Sequence, residues 1–256
     1  MSQTPDWRHT LAAIWRGGSG HLRAVKYLDP VRLSDLLGIE TQIGKLVHNT
    51  ERFLSGEPCN HVLLWGSRGT GKSSLVKALL NEYAPRGLRV IEVDKDDLAM
   101  LPEIVDGLRE KPQRFIIYCD DLSFDEGERH YKHLKSVLEG SIEVPPENVR
   151  LYATSNRRHL LPEYRSDNAA GKVVDGELHM GDAVEEKISL ADRFGLCLSF
   201  YPISEPQYFA MVDHLFPEVA DRDHLHVLAR RYAMEKGGRS GRTARQFWNR
   251  YSGEAV

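Results

Sequence analysis

Gly66-Ser67-Arg68-Gly69-Thr70-Gly71-Lys72-Ser73 is the stretch on which the reading of this chain turns. It fits the pattern G-x-x-x-x-G-K-[ST], whose four fixed positions a random chain of this length matches about once in a hundred. An apolar run at 61–65 precedes it, and a helical pattern carrying Leu75, Val76, Leu79 and Leu80 follows. Strand, glycine-rich turn and helix in that order make a phosphate cradle. Glycines let the backbone wrap closely around the anion, and the helix aims its N-terminal amides and positive dipole end at it. In such a cradle Lys72 reaches the β- and γ-phosphates, and the Ser73 hydroxyl ligates Mg²⁺. ATP and Mg²⁺ are therefore the expected ligands. Gly66, Ser67, Arg68, Gly69, Thr70, Gly71, Lys72, Ser73 and Ser74 are the residues expected around the phosphates.

Further apolar runs of strand length follow at 88–93, 115–119, 149–153 and 196–201, with helical stretches around 98–108 and 131–138. Continuous apolar runs alternating with amphipathic helices predict an α/β phosphate-loop NTPase fold, a parallel five-stranded sheet between helices. The run Phe115-Ile116-Ile117-Tyr118-Cys119 ends in two carboxylates, Asp120 and Asp121. Asp120 sits where such an enzyme holds Mg²⁺ through its water shell, and Asp121 where a base or water-positioning group belongs.

Around this core the pattern changes twice. Residues 1–32, with the flexible-looking Gly17-Gly18-Ser19-Gly20, read as an N-terminal extension. Residues 33–202 read as the nucleotide-binding core, opening on Leu36, Leu37, Ile39, Ile43, Leu46 and Val47 at helical spacing. Residues 203–256 hold helical patterns at 208–216, 225–233 and 243–251, which predict a small all-helical lid. The polar stretch 161–188 is too long for a routine connection and reads as a functional or partly ordered loop.

Composition sets outer limits. Apolar content of 41% with 28% charged residues is ordinary for a soluble globular protein, and a net charge of −3 argues against a chain whose main task is coating nucleic acid. Cys59, Cys119 and Cys197 have no metal-ligand spacing and read as reduced thiols. The apolar stretch 11–15 is too short for a signal-peptide core, and no run is long enough to span a bilayer. The expectation is a cytoplasmic protein without membrane contact.

Taken together, from about Leu33 onward, these features resemble the AAA+ ATPase superfamily. Leu36-Leu37-Gly38-Ile39 is similar to the segment that wraps adenine there, which implies Leu37 and Gly38 at the base. Ala153-Thr154-Ser155-Asn156 resembles the strand carrying the polar sensor 1, which implies that Asn156 orients the attacking water between the γ-phosphate and Asp121. Asp192-Arg193-Phe194-Gly195 resembles an arginine-finger box, which implies a homo-oligomer with Arg193 acting on a neighbouring subunit's nucleotide. Gly241-Arg242-Thr243-Ala244-Arg245 resembles the start of the sensor 2 helix, which implies Arg242 over the γ-phosphate of its own subunit. The runs 155–163 and 185–190 resemble a bacterial AAA+ family known as domain of unknown function 815.

Other readings stay open at three places. Arg193 is also placed to pair locally with Asp192 or Glu186. The acid-free basic tail 236–250 fits either a solvated helix face or a nucleic-acid contact, and Arg157 and Arg158 fit a subunit interface or a pore. One departure matters: most AAA+ members carry Asp-Glu where this chain has Asp120-Asp121. The second acid is one methylene shorter, and a misplacement of about 1 Å can cost on the order of 10²-fold in rate. The expected activity is Mg²⁺-dependent ATP binding and hydrolysis by an oligomeric protein that remodels or loads an unknown protein or nucleic-acid client. Asp121 and the 161–188 stretch favour the alternative, a slow or non-hydrolysing nucleotide-dependent switch that binds a partner protein or DNA. A small-molecule kinase would leave Asn156 and the helical tail without a role.

Overall fold

Five apolar runs of the chain are strands of one sheet, and each is continuous because both faces of that sheet are covered. The computed structural model describes residues 5–123, 134, 137–138, 144–157, 172–174, 177–179 and 190–253. The five strands are β3 (Val62–Gly66), β4 (Leu88–Glu92), β5 (Arg114–Cys119), β6 (Val149–Ser155) and β9 (Leu196–Phe200). They run parallel in the order β4-β5-β6-β3-β9. Successive side chains of a strand point to opposite faces. Phe115 and Ile117 therefore join Leu63, Ile91, Leu151, Leu101 and Phe194 on one face. Ile116 and Tyr118 join Val62, Leu64 and Tyr152 on the other, under Leu75 and Leu79 of α2 (Lys72–Tyr83) and Leu46 and Phe53 of α1 (Glu40–Leu54).

The sheet has seven strands where the sequence reading marks five. The added pair is β1 (Ala12–Arg16), parallel to β4, and β2 (His21–Ala24), antiparallel to β1. These strands are four or five residues long, are buried only at Ala12 and Ala13, and flank a glycine-rich turn, so they lack the long apolar run that marks the others. The same N-terminal segment buries Trp7, whose ring meets Phe115 edge-on at 5.0 Å. Buried Arg89 donates to the carbonyls of Trp7, Ala84 and Leu88, which answers the cost of taking a cation out of water.

α3 (Leu101–Asp106) is shorter than its sequence pattern, because residues 95–100 form a tighter 3₁₀ turn. A second antiparallel pair, β7 (Lys172–Val174) with β8 (Glu177–His179), falls inside the stretch read as a long loop. The rest of that stretch, most of the helical pattern at 131–138, Arg158, and most of the runs 155–163 and 185–190 lie outside the described residues.

Three C-terminal helices, α4 (Glu205–Leu215), α5 (Arg222–Glu235) and α6 (Gly241–Tyr251), enclose their own core of Tyr208, Val212, Leu225, Tyr232 and Phe247. Each starts on a side chain that accepts a first-turn amide: Ser204 with a reciprocal Gln207, Asp221, and Ser240. Among the described residues no helix is long and apolar enough to cross a membrane.

Candidate functional site

Parallel pairing brings the C-terminal ends of β3, β5, β6 and β9 to one edge of the sheet, the edge where open α/β sheets bind ligands. The loop 66–71 leaves β3 there. At Gly66 the backbone has φ 132°, and a Cβ would lie 2.0 Å from the Phe200 carbonyl oxygen, so no side chain fits. Ser67 N–H donates to that same carbonyl at 2.9 Å, and the Thr70 hydroxyl donates to Ser67 O at 2.8 Å. The loop is thus pinned to β9 from one side and closed on itself from the other.

Lys72 opens α2 with its chain buried beneath the loop. Its ammonium donates to Gly66 O at 2.8 Å, Ser67 O at 2.7 Å and, more distantly, Asn156 Oδ1 at 3.4 Å. Burial lowers its pKa, and the nearby carboxylates of Asp121 and Asp120 oppose that shift. One residue on, Ser73 faces the end of β5.

Asp120 Oδ1 accepts three hydroxyls: Ser73 at 2.7 Å, Tyr118 at 2.7 Å and Thr154 at 2.5 Å. Burial alone would raise this carboxyl, but the three donors outweigh it and hold the group below the usual aspartate range. Burial beside Asp120 pushes the Tyr118 phenol far up, so it stays a proton donor.

Asp121 is the non-glycine residue with positive φ, 51°, among the described residues. Its N–H donates to Thr154 Oγ1 at 2.9 Å, and its carboxylate accepts the Asn156 amide at 2.5 Å. The Asn156 carboxamide therefore lies between Lys72 and Asp121, accepting from one and donating to the other. Thr154 and Tyr118 are the members that sequence reasoning missed. Thr154 stands inside the quoted strand end, and the register Cys119 with Ala153 sets it beside Asp120.

The helical subdomain reaches this edge at the start of α6. Gly241 N–H donates to Gly69 O at 3.0 Å. Gly69 is left-handed at φ 73°, and a Cβ there would lie 2.8 Å from Ser240 Cβ and 3.7 Å from Arg242 Cβ. Arg242 is exposed in the first turn, with its base over the loop. Gly38 borders the same region: its N–H donates to Glu40 at 2.7 Å, and Gln207 of α4 donates to its carbonyl at 3.4 Å. Leu37 beside it is partly buried, and the Ile39 side chain lies against Gly71. Arg68 is exposed on the loop, and Ser74 is partly buried in the first turn of α2.

Lys72, Ser73, Asp120, Asp121 and Asn156 thus form one connected cluster, with the first turn of α6 above the loop. Arg193 is not brought to it. It lies partly buried before the first residue of β9, whereas the loop meets the last, about 13 Å away at a strand's rise per residue.

Ser73 Oγ and Asp120 Oδ1 make an all-oxygen donor pair with few protein ligands, which suits Mg²⁺ because that ion keeps several waters. Among the described residues no group of three or more His, Cys, Asp or Glu is placed to hold a different metal.

Over residues 8–255 the sequence matches the family described as protein of unknown function DUF815. A point mutant of Thermotoga maritima RuvB superimposes with a TM-score of 0.57 at 17% identity, covering 87% of this chain and 65% of that one. A Thermotoga maritima RuvB described as a Holliday junction branch migration motor gives 0.50 at 17% identity, covering 86% and 72%. A protein described as a DNA replication initiation factor gives 0.54 at 18% identity, covering 89% and 66%. The large subunit of replication factor C from Staphylothermus marinus is 32% identical over 81 residues, which is 31% of this chain and 18% of that relative. The chain therefore spans about two thirds of the first solved neighbour and under a fifth of the curated relative. At these identities the solved neighbours establish the fold alone, one shared with the RuvB structures.

Proposed function

We infer, because this chain belongs to the DUF815 family of proteins of unknown function and carries the AAA+ fold, that it is a Mg²⁺-dependent ATPase whose site lies at the loop 66–73. The observation that carries this reading is the Asn156 carboxamide, which joins the buried Lys72 to Asp121. A cation, a carboxamide and an acid are thereby in contact at the end of the phosphate loop.

In this reading the loop amides and Lys72 hold the phosphates, and Leu37 and Gly38 border the base. Ser73 and Asp120 would hold Mg²⁺, which when bound neutralises charge on the β- and γ-phosphates. Asp121 and Asn156 hold and orient the attacking water, and Arg242 reaches the γ-phosphate from the lid formed by residues 203–256. Arg193 serves the nucleotide of a neighbouring subunit in a homo-oligomer, a role supported by its position at the far end of β9. The client is a protein or nucleic acid.

Asp121 also supports a second reading, a slow switch. Its side chain is one methylene shorter than a glutamate's, yet its backbone N–H is held by Thr154 and its carboxylate accepts from Asn156. Asp121→Asn separates the two. Binding of a fluorescent ATP analogue, phosphate release and assembly size are measured for wild type and variant. The enzyme reading expects unchanged binding and assembly with turnover reduced about 10²-fold or more. Unchanged turnover removes Asp121 from the chemistry, and a wild type that binds ATP without releasing phosphate establishes the switch. A wild type that binds no ATP overturns both readings.

A further inference from the structure

α6 buries Thr243, Ala244 and Phe247 against the helical subdomain. At about 100° per residue, Arg245, Gln246 and Asn249 share the outward face with Arg250 at its margin, while Arg242 opens the helix over the phosphate loop and is left to the nucleotide. All five are exposed. No acidic residue occurs between 236 and 250, although the whole chain carries −3. The nearby carboxylates are already taken: Glu205 by Arg230 at 2.7 Å and Arg239 at 3.4 Å, and Glu235 by Arg231 at 3.5 Å. Among the described residues, positive charge is therefore concentrated on this helix, and the Glu205 and Glu235 carboxylates are engaged by arginines outside it. Three cations are also held in place by rings, Arg245 over Trp248 at 5.3 Å, Arg250 over Tyr251 at 5.2 Å and Lys236 over Tyr232 at 5.5 Å.

We propose that the outward face of α6 docks duplex DNA. Arginine forks and carboxamides are the groups that contact phosphates and read purine edges in the major groove. A helix of eleven residues, about 16 Å long, enters a groove about 12 Å wide. The competing polyanions fit less well. The aromatic rings are capped by cations and offer no bare platform for single-stranded bases. A-form RNA has a major groove too narrow for a helix, and the face carries no apolar anchor of the kind that centres a protein interface.

The surface itself does not depend on nucleotide, but its regulation rests on the ATP reading above. The same helix that presents Arg245 and Arg250 begins at the hydrogen bond from Gly241 to Gly69 of the phosphate loop. Occupancy of the loop and affinity for DNA are then linked through one rigid element, and the link is reciprocal.

The test uses the full chain without nucleotide and a short fluorescent DNA duplex, followed by anisotropy between about 50 and about 200 mM salt. Wild type is expected to bind with a steep loss of affinity as salt rises. The double variant Arg245→Gln/Arg250→Gln should bind about tenfold or more weakly at the low-salt end, with the slope of log K against log salt reduced by about 1.8. Arg245→Lys/Arg250→Lys should restore most of the slope. Because removing the ring-stacked arginines perturbs packing, Gln246→Glu/Asn249→Glu provides a second arm at exposed positions, and it should weaken binding through charge alone. Lys72→Ala should leave nucleotide-free DNA binding intact, so loss of ATP binding and loss of DNA binding fail separately. Absence of salt-dependent duplex binding by wild type overturns the proposal. So does an unchanged slope in folded variants, or preferential binding of single-stranded DNA, duplex RNA or polyglutamate.

Discussion

Replacing Thr154 by valine keeps the shape of the side chain and deletes one hydroxyl that serves both acids of the site. That hydroxyl donates to Asp120 at 2.5 Å and accepts the N–H of Asp121 at 2.9 Å. A hydrogen bond to an ionised group contributes about 1.5–3 kcal/mol, and the amide, close to solvent, adds on the order of 1 kcal/mol. Thr154→Val should therefore lose about 3 kcal/mol, and at this chain length each kcal/mol lowers Tm by about 2–4 °C. Thr154→Ser keeps both bonds, loses one methyl and should cost about 1 kcal/mol. Thermal unfolding of the nucleotide-free protein measures both. The gap between wild type and valine should also close in acid. Asp120 is held below its ordinary value of 3.8, so its contribution is fully present above that pH and is lost as pH falls through the folded-state titration. Turnover adds a second readout, because an acid released by about 1 Å costs on the order of 10²-fold. Equal losses in the serine and valine variants would refute the reasoning, since deleting the hydroxyl would then cost no more than deleting one methyl.

Three further outcomes follow from other parts of the molecule. The His61 ring accepts Leu151 N–H at 2.9 Å, and burial, with the Arg150 charge nearby, pushes its pKa down to about 4. The unfolded chain therefore binds the proton first, so stability is full above about pH 6.5 and falls by up to about 3 kcal/mol towards pH 4; urea unfolding across that range measures it, and a His61→Gln variant should flatten the slope. Gly66→Ala places a methyl 2.0 Å from Phe200 O, so it should separate the loop from β9 and cost several kcal/mol, whereas a variant of wild-type stability would show that β9 can yield. Arg193→Ala should bind ATP normally and lose turnover about 10³-fold, restored in mixtures with Lys72→Ala subunits that contribute intact Arg193; absence of complementation would place Arg193 outside a shared site.

The sheet was legible where burial on both faces left continuous apolar runs, as at Phe115 to Cys119. β1 and β2 were not, because Ala12 and Ala13 are small and the strands pass directly into Gly17. Lys72 and Ser73 were legible because the phosphate cradle is local in sequence. Thr154 acts through register between strands, since the pairing of Cys119 with Ala153 brings it to Asp120; Tyr118 reaches Asp120 from two residues earlier on its own strand, inside a run that reads only as apolar core. The approach of Gly241 to Gly69 is similarly invisible, since it depends on how three separately capped helices stack.

That approach gives the C-terminal helices two separate attachments to one short loop. Gly241 is bonded to Gly69, and Phe200, which leads into α4, holds Ser67 through its carbonyl. A body fixed near Phe200 and pushed at Gly69 behaves as a lever. With α6 as an arm of about 16 Å, a displacement of ~1 Å at its first residue turns it by roughly 4°. The loop is therefore coupled to a rotation, and a small rearrangement around a phosphate is passed to the C-terminal helices as a change of tilt.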